Sequence, residues 1–117
     1  MTAIQRIGAA QRMSQAVAYG NMVFLAGQVA LRAPGASVSE QTKDILAKTD
    51  ELLAEAGTDK TKLLSASIWL SDIATFGEMN EIWDAWVAPG GAPARACVES
   101  KLAAPQFTVE ISVIAAI

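Results

Sequence analysis

Two charged residues sit where strand-forming runs would rather be apolar. Arg95 lies in Pro93-Ala94-Arg95-Ala96-Cys97-Val98-Glu99, and Glu110 lies in Phe107-Thr108-Val109-Glu110-Ile111-Ser112-Val113. A guanidinium offers a planar fork of donors that fits a carboxylate, and a glutamate can take and return a proton. A strand alternates its faces with period two. Arg95, Cys97 and Glu99 therefore share one side of the first run, with Ala94, Ala96 and Val98 on the other. In the second run Phe107, Val109, Ile111 and Val113 form an apolar face opposite Thr108, Glu110 and Ser112. On this reading Arg95 and Glu110 can face the same space, either as groups that act together on a bound molecule or as a cross-strand or intersubunit ion pair.

What else could do chemistry is narrowly bounded. The chain has no histidine and a single cysteine, Cys97, so Ser-His-Asp and Cys-His catalysis, His-ligated zinc and an intrachain disulfide are all excluded. No base stands near Cys97 in sequence to make a thiolate, and it reads as a small buried hydrophobe. No cofactor or metal is called for. With nine Lys and Arg against twelve Asp and Glu, a formal charge of -3 and a pI near 4.8, the chain lacks the basic footprint of a nucleic-acid binder.

The elements that must position these residues fit one domain of 117 residues, residues 1–117, which buries roughly two thirds of its unfolded surface. The composition is 52% hydrophobic and 18% charged with a mean hydropathy of +0.31, oily for this size, and so points to subunit interfaces. No apolar run approaches the ~18 residues of a membrane span, and Met1 to Arg6 lacks a leader's basic-then-apolar order, so a cytoplasmic, membrane-free protein is expected. Ile4 to Ile7, Gln15 to Tyr19 and Met22 to Ala26 read as strands, with Gly20-Asn21 as a tight turn. Ser37 to Glu40 offers a capping box for a helix running to about Ala56, closed by Gly57. Leu64 to Ser71 returns to period two. Thr75 to Glu78 is a second capping-box candidate, ahead of Phe76, Met79, Ile82, Trp83, Trp86 and Val87 at helical spacing, and Pro89-Gly90-Gly91 stops that helix. The order β-β-β-α-β-α-β-β predicts an α+β domain with both helices on one face of a mixed sheet. The other face, lined in this reading by Trp69, the serines of that strand, Cys97 and Ile114, is left to other subunits.

Gly20-Asn21-Met22 leading into Ala26-Gly27-Gln28, the Asn80 to Trp86 helix, and the Pro93 to Glu99 block followed by Val109-Glu110-Ile111 carry a resemblance across the whole chain. The sequence resembles the RidA/YjgF reactive-intermediate deaminase family, and within it the YoaB-like branch. The resemblance implies a chorismate-mutase-like fold and a homotrimer with a central barrel and intersubunit clefts. It further implies hydrolysis of enamine and imine intermediates such as 2-aminoacrylate to 2-oxo acids and ammonia. It makes Arg95 the clamp on a small carboxylate substrate and Glu110 the residue that orients water, and it places the backbone around Gly27 and Cys97 in the cleft. Asn80 aligns with a polar position of the second helix, where it either meets the ligand or satisfies a local backbone group.

Two positions depart from the family's main branch. Met13 stands where that branch has a tyrosine, and Ala26 where it has a hydroxyl residue before the Gly-Gln pair. Both would line the substrate cleft and make it more apolar, which favours a bulkier imino acid or a carboxylate bound without turnover. The rival readings are a non-catalytic trimeric sensor of 2-oxo acids and a pericyclic enzyme on the same architecture. The latter needs a second cation from among Arg6, Arg12 and Arg32.

Overall fold

The computed structural model describes residues 3–117; Met1 and Thr2, which open the segment read above for a leader, lie outside it. The chain begins with β1 (Gln5–Ile7), β2 (Ala16–Tyr19), β3 (Met22–Leu25) and β4 (Gln28–Val29), followed by α1 (Val38–Glu55). It continues through β5 (Leu63–Leu70), α2 (Phe76–Trp86), β6 (Ala94–Glu99) and β7 (Val109–Ala116). All seven strands join one sheet in the order β1-β2-β3-β7-β5-β6, with β4 also paired to β7. Only β5 and β6 run parallel, so the sheet is mixed as expected. Among the described residues no helix is long and apolar enough to cross a membrane.

Local sequence accounts for most of these boundaries. Gly20 takes a φ of +63° while Asn21 does not turn positive, so the two-residue β2–β3 connection has the glycine-first form that matches strand twist. The Ser37 side chain accepts from Glu40 N–H at 3.1 Å to cap α1, and Gly57 at φ +84° ends it. The second capping box does not form. Thr75 donates its hydroxyl to Asp72 O at 2.6 Å, and Glu78 instead accepts from Ser39 N–H at 2.9 Å, so α2 caps the first turn of α1.

Both helices pack on one face. Ile45, Leu46, Leu52, Leu53, Met79 and Trp83 meet Val23, Ile68, Leu70, Val109, Ile111 and Val113 of the sheet, all buried. The Cα extents of 46 × 37 × 21 Å leave room for these two layers and no third. The opposite face carries Val17, Phe24, Ser65, Ser67, Trp69, Ser112 and Ile114, none of them buried, and Phe24 stays 43% exposed. β6, at the sheet edge, is exposed at every position but Cys97.

Gln41 holds the start of β7. This fully buried side chain donates to Ala36 O at 2.9 Å and Gln106 O at 3.0 Å, and accepts from Thr108 N–H at 3.0 Å. Replacing it with leucine strands buried polar backbone, at about 1–3 kcal/mol for each group left unpaired. Gln41→Leu is expected to lower the urea midpoint by an amount equivalent to about 2–3 kcal/mol with the slope unchanged.

Candidate functional site

The structure corrects the opening expectation about Arg95 and Glu110. Arg95 pairs in register with buried Ala66, and Glu110 with Trp69 of the open face, so the two project to opposite sides of the sheet. They are also two strands and three residues of rise apart, roughly 14 Å between Cα positions. Cys97 pairs with buried Ile68 and packs against the core beneath the helices, so it does not line the open face as expected. The period-two alternation holds on each strand. The side of β6 that the helices cover is the reverse of the expected one.

Arg95 is held by α2. Its Nη1 donates to Asn80 Oδ1 at 2.7 Å, and its guanidinium carbon lies 5.4 Å from the Trp83 ring centroid and 5.7 Å from that of Phe76. Asn80 therefore serves Arg95 rather than a local backbone group. Phe76, Asn80 and Trp83 stand at i, i+4 and i+7, one stripe of the helix. That spacing is readable in the sequence, although nothing in it marks Phe76 and Trp83 as a platform for Arg95. Arg95 is exposed, and the ion pairs among the described residues join Arg32 to Asp44 and Glu51, and Lys43 to Glu40, so this guanidinium has no acidic partner among them. Burial pushes the neighbouring Cys97 thiol above its ordinary range, with the Arg95 charge offsetting part of the rise. A protonated thiol is a weak nucleophile.

Glu110 sits against a defect in the sheet. The β7 ladder passes from Phe24↔Ile114 to Gln28↔Ile111, so Leu25, Ala26 and Gly27 stand opposite only Ser112 and Val113. This one-residue bulge ends the expected third strand at Leu25 and is followed by β4, a short strand beyond the expected bounds. Bulges of this kind recur beside functional sites. Ser112 Oγ donates to Leu25 O at 2.8 Å, and Gln28 Nε2 donates to Ala26 O at 3.0 Å and to Gln15 Oε1 at 3.1 Å, pinning the bulge. The two-residue β4 is too short to show as periodicity, which is why it escaped the sequence reading. Glu110's carboxylate lies over Gly27, filling the space a Cβ there would need. Glu110 is half-buried, and this desolvation alone raises its carboxyl above the usual range. Ala26 N–H bonds Gln15 O at 2.9 Å, so exposed Met13, in the β1–β2 loop two residues before Gln15, belongs to the same end of the sheet.

The chain thus carries two candidate groups on opposite faces of its sheet: a guanidinium on an aromatic platform, and a half-buried carboxylate at a glycine bulge. The family profile described as Endoribonuclease L-PSP matches residues 3–117, from the β1 limb through both groups to the last strand. The chain belongs to the RidA/YjgF family. Its RutC family relative YoaB from Escherichia coli is 39% identical over 97% of this chain and 98% of that one. NMB1025 of Neisseria meningitidis, a member of the YjgF protein family, superposes with a TM-score of 0.94 at 46% identity, covering 97% of this chain and 94% of the other. The chloroplastic Reactive Intermediate Deaminase A of Arabidopsis thaliana is 32% identical over 87% of this chain and 57% of its own length.

Within this RidA/YjgF chain, Gly27 has a specific steric duty. The atoms a methyl would strike are the far end of the flexible Glu110 side chain, not backbone. Gly27→Ala is therefore expected to swing Glu110 aside and leave the fold in place. A crystal structure of the variant, with an unfolding midpoint close to wild type, would check this; an unmoved Glu110 would contradict it.

Proposed function

We propose that the protein hydrolyses small 2-imino acids, with their enamine tautomers, to 2-oxo acids and ammonia in clefts between the subunits of a homotrimer. The observation that carries this reading is that Arg95 and Glu110 are each held in place but unpaired, and cannot meet within one subunit. A structural ion pair inside the chain is thereby excluded. The exposed edge strand β6 and the apolar open face offer the surfaces on which a neighbouring copy would bring its Arg95 to this subunit's Glu110. The relative named Reactive Intermediate Deaminase A lends the reaction class.

In that cleft Arg95 takes the substrate carboxylate on its remaining donors while Asn80 and the rings of Phe76 and Trp83 fix its plane. Glu110, ionised, accepts a proton from a water whose oxygen bonds to the protonated imine carbon as the C=N π pair moves to nitrogen. Returned to that nitrogen, the proton lets the C–N bond break. Ammonia leaves as Glu110 takes the hydroxyl proton and the carbonyl forms, and that proton passes to ammonia, so one imine cation and one water become one 2-oxo acid and one ammonium ion. No histidine is required, because a protonated imine is already electrophilic and positioning supplies much of the rate. Met13 and Ala26 bring no hydroxyl to the Glu110 side of the cleft, which suits imino acids with aliphatic or aromatic side chains.

The test generates imino acids with an amino-acid oxidase and follows their disappearance by semicarbazide trapping and ammonia release. Acceleration by the wild type and its loss in Arg95→Ala is the expected result. No acceleration would favour the second reading, a trimeric sensor of 2-oxo acids, which the same missing hydroxyls support. RNA cleavage, the activity in the family profile's description, finds little footing in a chain of net charge -3 without histidine.

A further inference from the structure

Glu110 stands in an otherwise apolar row across the open face. Its register partners are Val29 on β4 and Trp69 on β5, and Trp69 in turn pairs with Val98 on β6. Ile68 and Leu70, like Val109 and Ile111, are buried beneath the helices, so alternation sends Trp69 and Glu110 to the opposite side, and Val29 joins them by its register. The next row along the strands is Ser112, Ser67 and Ala96. Of its two hydroxyls, that of Ser112 is already given to Leu25 O at 2.8 Å. On both neighbouring strands, therefore, the carboxylate is flanked by apolar side chains.

Trp69 is the largest side chain of that row, and it is half-buried although neither helix covers this face. Directly opposed residues on antiparallel strands carry Cβ atoms about 4.5–5.5 Å apart, and an indole offers about 150–250 Å² of surface to a contact. In the hydrolysis proposed above, a water lies about 2.8 Å from the Glu110 carboxylate, and its oxygen comes to about 3–3.5 Å from the imine carbon. That carbon bears the substrate's carboxylate, its nitrogen and its side chain. With the carboxylate held by a neighbouring copy's Arg95, the side chain starts within roughly 6 Å of the Glu110 oxygens, in reach of the indole beside them.

We infer that Trp69 is the specificity-determining residue of this cleft, an indole shelf beside Glu110 on which the side chain of the 2-imino acid packs. The inference rests on the proposed hydrolysis for the position of the substrate, and it turns a generally apolar cleft into one named contact. A substrate with an isobutyl group covers the shelf, whereas a methyl group does not reach across it. Trp69 takes no part in the proton transfers, so it acts on which side chain is bound and not on the chemistry at the imine carbon.

Incorporating 5-fluorotryptophan gives the intact protein three fluorine NMR signals, from Trp69, Trp83 and Trp86, assigned by elimination with Trp83→Phe and Trp86→Phe, so the readout does not depend on a Trp69 variant that folds. Pyruvate and 4-methyl-2-oxopentanoate are the ligands added. They share the carboxylate and the 2-oxo group and differ in the side chain alone. Trp83, beneath Arg95, should respond to both, and Trp69 to 4-methyl-2-oxopentanoate only. In turnover, Trp69→Ala should lower by about tenfold the ratio of kcat/KM for the leucine-derived imino acid over the alanine-derived one, and Trp69→Phe should restore most of it. A Trp69 signal that 4-methyl-2-oxopentanoate moves no more than pyruvate does would overturn the inference. So would a ratio that Trp69→Ala leaves unchanged or raises, the latter making the indole an obstacle. With Trp83 still responding and imino acids still turned over, the deaminase reading would then stand. Trp69 and Trp83 responding as expected without turnover by the wild type would do the reverse, retiring the reaction and keeping the side-chain contact.

Discussion

Arg95→Ala is expected to lower kcat/KM for 2-imino acids by about 100-fold, most of it through KM. A charge-assisted hydrogen bond is worth about 1.5–3 kcal/mol, and the upper figure corresponds to somewhat over two decades in rate. The carboxylate lies beside the reacting carbon and is unchanged by the reaction, so its binding is shared by ground and transition states, and such a loss appears in KM. Arg95→Lys separates charge from geometry. An ammonium keeps the charge but loses the fork and the stacking on Trp83 and Phe76, so it should recover about one decade only. Arg95 bonds only a side chain of α2 and buries little, so the alanine variant should unfold close to the wild-type temperature. A large drop in thermal stability with unchanged kcat/KM would make Arg95 a structural strut.

The way Arg95 was misplaced shows how much of this protein is written locally. The helices were legible because their apolar spacing, the Ser37 cap and the Gly57 stop are all short-range signals. The α+β class and the uncovered sheet face followed from their order. β7 was legible because one of its faces is plainly apolar, and its buried positions are the ones that alternation gives. β6 gives no such contrast. As an edge strand it is exposed nearly throughout, and its helix-facing side carries Arg95 and Glu99 while its open side carries Ala94, Ala96 and Val98. The ordinary rule that charges face away from helices therefore inverts its two sides. Glu99 has a local reason to be there, since it accepts from Ile73 N–H at 3.0 Å ahead of α2. The bulge at Ala26-Gly27 was invisible for a different reason: an extra residue matters only against the register of β7, and pairing across about ninety positions of chain is not a local property. Even the Glu78 cap on α1 depends on packing that brings two distant helix starts together.

Glu110→Gln should move rate and stability in opposite directions, and this sets a working carboxylate apart from a structural one. Glutamine keeps the shape over Gly27 but cannot take a proton, so turnover should fall by the ~10² to 10⁴ typical of a lost general base. Stability follows from the sign of the shift. Burial raises the Glu110 carboxyl above its ordinary value of 4.5, so the folded state binds this proton more tightly than the unfolded chain does. Stability from this group is therefore complete below the ordinary carboxylate range, is lost as pH rises through the interval up to the raised value, and stays lost at neutral pH. The neutral glutamine carries no such penalty, so the variant should melt above wild type at pH 7, with the difference closing as the buffer is taken toward pH 4. Wild-type turnover should decline over the same interval from its neutral plateau, because the base must be ionised to act, and the midpoint of that limb should lie above the usual carboxylate range. Calorimetry of both proteins across this range, run beside the pH–rate profile, tests the two halves together. If Glu110 instead served as a salt-bridge partner for a neighbour's Arg95, the glutamine variant would melt lower at neutral pH. The melting temperatures would then exclude an unpaired buried base whatever the rates showed.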